Sequence, residues 1–216
     1  MNEVTYLTLS NPGIIHTVLT DEQLKPIHDE IKKIQQDFSQ ADSRNKQLAG
    51  NIQHEYGLYD CREHVENLTT NLAYTYNSHC DMAKGYLSDQ GIRDKNYRFK
   101  LGGIWVNFQK KYEFNPIHNH SGVLSFVLWI NVPYDINDEI AHPSSVNSNS
   151  LCPGHFSFIF INNLGKIGQQ NIPVDRTFNG KMVMFPSGLN HCVYPFYTSD
   201  EYRISVSGNI YIEVTD

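Results

Sequence analysis

Basic side chains are thin and scattered in this chain: 17 lysines and arginines stand against 23 acidic residues in 216, for a net charge of -6 with no basic block. Nucleic-acid backbones are held by clustered Lys and Arg, so this balance argues against nucleic acid as a partner. Long apolar runs are missing as well. The longest, Val123 to Val132, is broken by Ser125 and Asn131, far short of the roughly 20 residues that span a bilayer, and no membrane helix is expected. Met1 to Leu19 lacks a basic stretch followed by an apolar run and a small-residue cleavage site, which points to a chain that stays in the cytoplasm. The four cysteines, Cys61, Cys80, Cys152 and Cys192, show no Cys-x-x-Cys spacing. Neither a zinc knuckle nor a disulfide framework is expected, and reduced thiols in or near the core are the simpler reading.

What is present divides at about residue 95. From Asp21, the apolar residues Leu24, Ile27, Ile31, Ile34 and Phe38 recur at intervals of three and four, the spacing of one helical face, with Asp21 placed to cap the helix and Pro26 near its start. A second helix is expected over about Cys61 to Leu87, with Val65, Leu68, Leu72, Tyr76 and Ala83 inward and Gly85 and Gly91 marking its end. Ala41 to Gly57 is polar and reads as a loop. Beyond Tyr97 the period changes. Tyr97 to Leu101, Ile104 to Gln109, Val123 to Val132, His155 to Ile161, Lys181 to Phe185, His191 to Phe196 and Tyr202 to Val214 are short β-branched or aromatic runs split by Gly, Pro and Asn. At least seven strands in this stretch imply a double-sheet jelly roll or barrel. The expected architecture is one domain, mainly β, with residues 1–95 as helical support and residues 96–216 as the β core. Asp135 to Gly154, rich in Ser and Asn, reads as a loop over one end of the roll, in the position of a lid or of a plain solvent loop.

Ten histidines are present, and three of them form a pattern. Residues two apart on a strand face the same side, so His118 and His120 can aim both imidazoles at one point, and a strand carrying His191 can close a metal site. Imidazole suits iron, copper, nickel or zinc, and three protein ligands leave positions open for oxygen and a co-substrate. The turn Pro186-Ser187-Gly188-Leu189-Asn190 precedes His191 and fixes where its ring points. Cys192 would face the opposite side of that strand. Twelve residues past His191 stands Arg203. Its guanidinium can grip a carboxylate by two parallel hydrogen bonds while Ser205, on the same strand face, adds a third, an anchor suited to the far carboxylate of a dicarboxylic keto acid. An ordinary ion pair of Arg203 with Asp200 or Glu201 is the competing reading. The remaining histidines, among them His142 and His155, are given no role.

Several stretches together resemble the 2-oxoglutarate and iron(II)-dependent dioxygenases, and within them a small phage-borne group. They are Trp105-Val106-Asn107, Asn115-Pro116-Ile117-His118-Asn119-His120-Ser121-Gly122, Leu124-Ser125-Phe126-Val127, Phe185-Pro186 with His191, Pro195-Phe196, and Arg203-Ile204-Ser205-Val206-Ser207-Gly208-Asn209. They run from Trp105 to Asn209, about half of the chain. The resemblance implies a double-stranded β-helix (jelly roll) flanked by α-helices. It implies His118 as the first iron ligand, His191 as the last, Arg203 with Ser205 as the 2-oxoglutarate clamp, and Asn107 as a hydrogen-bonding partner of the keto acid or substrate. The implied enzyme is a hydroxylase using Fe(II), 2-oxoglutarate and O2 on an unidentified substrate, peptidyl proline or another protein side chain among the options. For a phage-encoded chain the location would be the host cytoplasm.

The family pattern carries His-x-Asp or His-x-Glu at its first two ligand positions, and this chain has His120 where the carboxylate belongs. Three neutral ligands leave one more unit of positive charge at the metal, which alters the binding of an anionic keto acid. Either His120 is itself the third ligand, as its spacing favours, or a loop carboxylate such as Asp135, Asp138 or Glu139 completes the site. Glu113 is expected to face away. Two further functions remain open: a three-histidine iron dioxygenase that needs no keto acid, and a jelly-roll binding module without turnover. Substrate and oligomeric state are not legible in the residues.

Overall fold

The computed structural model describes residues 13–80, 82–91 and 95–215. The chain opens with β1 (Ile15–Val18) and α1 (Asp21–Gln36), followed by β2 (His54–Gly57), α2 (Arg62–Cys80) and α3 (Met82–Asp89). The remainder is β3 (Asn96–Gln109), β4 (Asn115–His118), β5 (Leu124–Asn131), α4 (Ile136–Ala141), β6 (Phe156–Ile161), β7 (Ile167–Ile172), β8 (Lys181–Pro186), β9 (Asn190–Val193) and β10 (Arg203–Thr215). Six strands form one sheet in the order β1-β8-β5-β10-β3-β2, and four form a second in the order β4-β9-β6-β7. Every pairing is antiparallel, and the architecture is the mainly β roll with flanking helices that the strand pattern implies. Among the described residues no helix is long and apolar enough to cross a membrane. All four cysteines are free, three of them buried.

Alternation along the central strands decides what each face of the large sheet does. Ile104, Val106 and Phe108 of β3 and Ile204, Val206 and Ile210 of β10 join Ile27 and Ile31 of α1 and Val65, Ala73 and Tyr76 of α2 in one buried cluster. The residues between them point the other way, into the roll. There β5, β6 and β8 bring Val127, Trp129, Phe156, Phe158, Val183 and Phe185 into a second apolar cluster between the sheets. Period-two side-chain direction therefore gives the large sheet one face for helices and one for the site.

The helical expectations hold with corrections at the ends. The cap of α1 is Thr20, not Asp21: the Thr20 hydroxyl accepts from the Gln23 N–H at 3.3 Å while the Gln23 side chain accepts from the Thr20 N–H at 3.0 Å, a reciprocal capping box. Asp21 stands in the first turn, where a negative charge favours the helix dipole. The second helix is two, α2 and α3. Asn77 Oδ1 takes the Ala83 N–H at 2.8 Å, a donor that an unbroken helix would give to a backbone carbonyl. Gly85 lies inside α3, and Gly91, at φ 71°, follows its end. At the start of α2, Glu30 of α1 accepts from the N–H groups of Tyr59, Asp60 and Cys61, which satisfies donors that a helix start leaves open.

Two segments ahead of residue 95 are strands rather than helix or loop. β1 pairs with β8, and β2, inside the stretch that reads as polar loop, pairs with β3. The two expected strands at 97–101 and 104–109 are one, β3 running through Gly102 and Gly103. The ring of Tyr211 lies where a Cβ of Gly102 would be, so a larger residue there would have to displace that ring, and the glycine leaves the strand unbroken. β7, paired with β6, was not expected. The polar stretch after Asp135 contains α4, and the rest is turn.

Candidate active site

β4 and β9 lie side by side with His118 directly opposite His191, so the register of two short strands sets two imidazoles against each other. His120 lies just past the end of β4 and is held by its own N–H, which donates to Ser187 O at 2.9 Å. Gly122 follows at φ 99°, with a would-be Cβ only 2.7 Å from Ile210 O, a turn that a side chain could not make. Ring centroids are 4.3 Å apart for His118 and His191, 4.9 Å for His118 and His120, and 5.0 Å for His120 and His191. One ring nitrogen from each lies within 4.8 Å of the others. The three expected histidines do come together, although His120 is not itself in a strand.

Hydrogen bonding settles which nitrogen is free on two of them. His118 Nδ1 lies 2.7 Å from Pro116 O and His191 Nδ1 2.9 Å from Leu189 O. A carbonyl can only accept, so each Nδ1 carries the proton and each Nε2 keeps its lone pair for a metal. The His120 ring packs against Trp105 at 5.6 Å and 53°. Phe156 stacks on His191 at 5.4 Å. Burial lowers the proton affinity of all three, with the neighbouring His118 pressing further on the other two. His118 falls below the usual histidine range, His120 is lowered to about 4 and His191 to about 3. Neutral imidazole, the form that binds metal, is thereby ready at ordinary pH.

Beside the cluster, three opposed pairs across β3 and β10 face into the roll: Arg203 with Gln109, Ser205 with Asn107, and Ser207 with Trp105. All six, with His120 and His191, line one small cavity of about 40 Å³. Arg203 is 3% exposed. Gln109 Oε1 accepts from its Nε at 3.1 Å and its Nη2 at 2.5 Å, Tyr134 OH and Gly154 O accept from Nη1 at 2.6 and 2.9 Å, and Tyr194 O accepts from Nη2 at 3.1 Å. No carboxylate is among these partners. The competing ion pair with Asp200 or Glu201 does not form among the described residues: Arg203 is buried on neutral acceptors, and Asp200, at the surface, pairs with Lys111 at 2.6 Å. Asn107 Nδ2 donates to Ser205 Oγ at 3.4 Å, while Asn107 Oδ1 is buried without a partner.

The loop carboxylates are elsewhere. Asp135 caps α4 through the Asn137 N–H at 2.9 Å, and Asp138 is exposed. Glu139 is fully buried but accepts from Tyr197 N at 2.7 Å, Thr198 N at 2.9 Å and the Thr198 hydroxyl. Among the described residues the imidazole cluster gains no carboxylate member. Glu113 accepts from Gln53 N and Lys110 N.

A family model described as "Putative 2OG-Fe(II) oxygenase" matches residues 103–209, which hold every one of these residues from Trp105 to Ser207. The chain belongs to the 2OG-Fe(II) oxygenase family. Among solved structures, it is similar to a Pseudomonas putida prolyl-4-hydroxylase at 14% identity and TM-score 0.54, with 92% of each chain covered. A Trichoplax adhaerens prolyl hydroxylase, in complex with a hypoxia inducible factor oxygen degradation domain peptide, is similar at 14% identity and TM-score 0.52, over 95% of this chain and 84% of that one. The ketoglutarate-dependent epimerase SnoN from nogalamycin biosynthesis is similar at 12% identity and TM-score 0.50, over 95% of this chain and 79% of that one. At such identities the likeness is one of fold. No curated protein sequence matches the chain.

Within this oxygenase frame, the sequence reading missed Gln109, Tyr134 and Glu55. Gln109 was within reach, since it continues the period-two row Trp105, Asn107. Glu55 had no signal, because its segment reads as loop. It lies on β2 directly opposite Asn107, is fully buried, and neither carboxyl oxygen has a partner. Burial and the nearby Glu113 raise its proton affinity from the ordinary 4.5 to about 7. The folded protein therefore keeps a proton that the unfolded chain releases. The contribution of this group to stability is greatest below about pH 4.5, declines as pH rises to about 7, and is constant above that. Glu55→Gln should abolish this decline. Urea midpoints of both proteins across that range would check it, and parallel curves would show that Glu55 does not titrate in the folded state.

Proposed function

We propose that the protein is a 2-oxoglutarate- and iron(II)-dependent hydroxylase. Iron(II) would be held by His118, His120 and His191, and the keto acid by Arg203, Ser205 and Asn107. The observation that carries this reading is a guanidinium buried without any carboxylate, sharing one cavity with His120 and His191 of the imidazole cluster, in which His118 and His191 keep Nε2 free. Removing one partner of a buried charge pair costs about 2–5 kcal/mol because the other charge is left uncompensated; Arg203 has neutral acceptors but no counter-charge, and a dicarboxylate ligand supplies one. The donor set also suits the metal, since borderline imidazole nitrogens accept iron(II) and three ligands leave positions open.

Space and hydrogen bonds define how the keto acid would enter. A cavity of about 40 Å³ has room for roughly three waters at about 10–15 Å³ each. Gln109 Oε1 meanwhile sits on the Nε and Nη2 edge of Arg203, the edge that a carboxylate takes side-on. Gln109 thus holds the place of the carboxylate and gives it up on binding. Ser205 then offers its hydroxyl, and Phe156, Phe185 and Trp129 keep water from the reacting face. When bound, iron(II) with the keto acid and O2 supplies the oxidation of a substrate C–H bond, the keto acid leaving as succinate and carbon dioxide.

By analogy with the two neighbours named as prolyl hydroxylases, the substrate is a protein side chain, peptidyl proline among the candidates. The epimerase neighbour marks the limit of that analogy. A cytoplasmic location, in a phage host if the gene is phage-borne, fits the sequence. A second reading, a three-histidine dioxygenase without keto acid, is favoured by one observation: every N–H of Arg203 already has a protein acceptor. Anaerobic titration with iron(II) and then 2-oxoglutarate separates them. A visible charge-transfer band that grows only with the keto acid is the expected outcome. Iron binding without that band would favour the second reading, and folded protein that takes neither would be a binding module.

A further inference from the structure

Among the described residues four buried side-chain oxygens have no hydrogen-bond partner: Oε1 and Oε2 of Glu55, Oδ1 of Asn107 and Oδ1 of Asn115. They belong together. Glu55 and Asn107 are direct cross-strand partners, a placement that brings Cβ atoms within about 4.5–5.5 Å on one face. Asn107 and Asn115 line the same cavity, together with Ile52 from the segment just ahead of β2. That arm is closed over the group by Asn51, whose N–H donates to Phe114 O at 2.9 Å. Beneath it the absent side chain of Gly50 leaves room for Glu55, since a Cβ there would lie 2.6 Å from Oε1.

The two amide oxygens are acceptors, and so are both Glu55 oxygens once the carboxyl is ionised. Buried acceptors without donors are costly, and native proteins retain few of them without a purpose. No lysine or arginine among the described residues pairs with Glu55, and the neighbouring Glu113 adds negative potential rather than relieving it. The fitting ligand is donor-rich and positively charged. Arg203, on β10, two strands across the sheet from Glu55 on β2, calls for an anion. Arg203 and the acceptors of Asn107 and Asn115 line one cavity with two of the imidazoles, and Glu55 lies behind that lining as the cross-strand partner of Asn107.

We propose that Glu55, with Asn107 and Asn115, is the substrate-recognition end of the site and takes a protonated amine or guanidinium, so that the substrate carries a cationic group near the carbon oxidised. The inference rests on the oxygenase reading above and narrows it: a basic side chain fits this end, and a proline ring would leave all four acceptors unpaired. Asn107 and Asn115 meet the incoming N–H groups first, and the Glu55 carboxyl supplies the charge behind them.

Calorimetry with matched probes tests this on the full chain, both loaded anaerobically with iron(II) and 2-oxoglutarate and metal-free. The probes are L-arginine amide against L-citrulline amide, and L-lysine amide against L-norleucine amide. The charged member of at least one pair is expected to bind about tenfold or more tightly, the worth of a buried charge-assisted hydrogen bond. Glu55→Gln should bring that ratio to within about twofold. This variant is expected to fold, since its amide gives the orphaned acceptors a donor; should it not, Asn115→Leu is the second variant and should reduce the same ratio. Equal binding within both pairs, no binding of any probe, or a preference that survives Glu55→Gln overturns the proposal and leaves a site filled by water only. Loading is followed separately by the visible band. A band without charge preference sinks this inference alone, and charge preference in metal-free protein without a band sinks the oxygenase reading alone.

Discussion

Arg203→Met is expected to weaken 2-oxoglutarate binding by about thirtyfold or more while iron(II) binding stays within about threefold of the parent protein; removing one partner of a buried charge pair costs about 2–5 kcal/mol. The side chain is well placed for so large an effect. It is buried, it lies in one row with Asn107 and Ser205, and it has no carboxylate of its own. Methionine fills a similar volume without the charge, so the change tests recognition more than packing. Part of the loss appears in stability as well, because Gln109, Tyr134, Gly154 and Tyr194 would lose their donor. Arg203→Lys should fall between, since an ammonium keeps the charge but not the two-pronged geometry. Anaerobic titration followed in the visible range reads both affinities. Unchanged keto-acid affinity in Arg203→Met would place the clamp elsewhere and strengthen the keto-acid-free reading.

The parts of this site legible in the sequence are those whose geometry is local. His118 and His120 are two residues apart, and Arg203 and Ser205 share a strand face by the same count, so period two alone aligns each pair. Within β3 the alternation of Val106 and Phe108 with Asn107 and Gln109 is strong enough to fix which side faces the site. Elements without that contrast were not legible. β7 consists mostly of Gly and Gln between two isoleucines, and it is a strand because β6 offers it a hydrogen-bonding edge. β2 is the same case, four residues recruited by β3. Its consequence is larger, since Glu55 enters the neighbourhood of the site only through a pairing with Asn107 that no local pattern announces. The carboxylates proposed to complete the metal site failed for the converse reason. Glu139 lies in a segment that reads as open loop, and the fold uses it to hold Tyr197 and Thr198 instead.

His120 is where this chain departs from the family pattern, and substitutions there should separate ligand from packing. If the ring binds iron, His120→Ala leaves two protein ligands and should weaken iron(II) by about a hundredfold or more, since even outer partners of ligands are worth 10–100-fold. His120→Asp restores the carboxylate that the wider pattern places at this position and should keep iron binding within about tenfold, with one unit less positive charge at the metal. That lost charge should then weaken 2-oxoglutarate, whose own charge is negative. Stability gives an independent readout. The metal-free Asp variant would bury a carboxyl against Trp105 and between His118 and His191, so its melting temperature should fall. Iron(II) should restore it by binding only the folded state, a gain of about 2.7 kcal/mol at a hundredfold excess over Kd. The parent protein, whose three rings are already neutral through burial, should depend less on iron for its stability. Thermal melts and metal titrations of the three proteins, with and without iron, decide the matter. If His120→Ala binds iron as tightly as the parent, the ring serves to pack Trp105, and the metal is held by His118 and His191 alone.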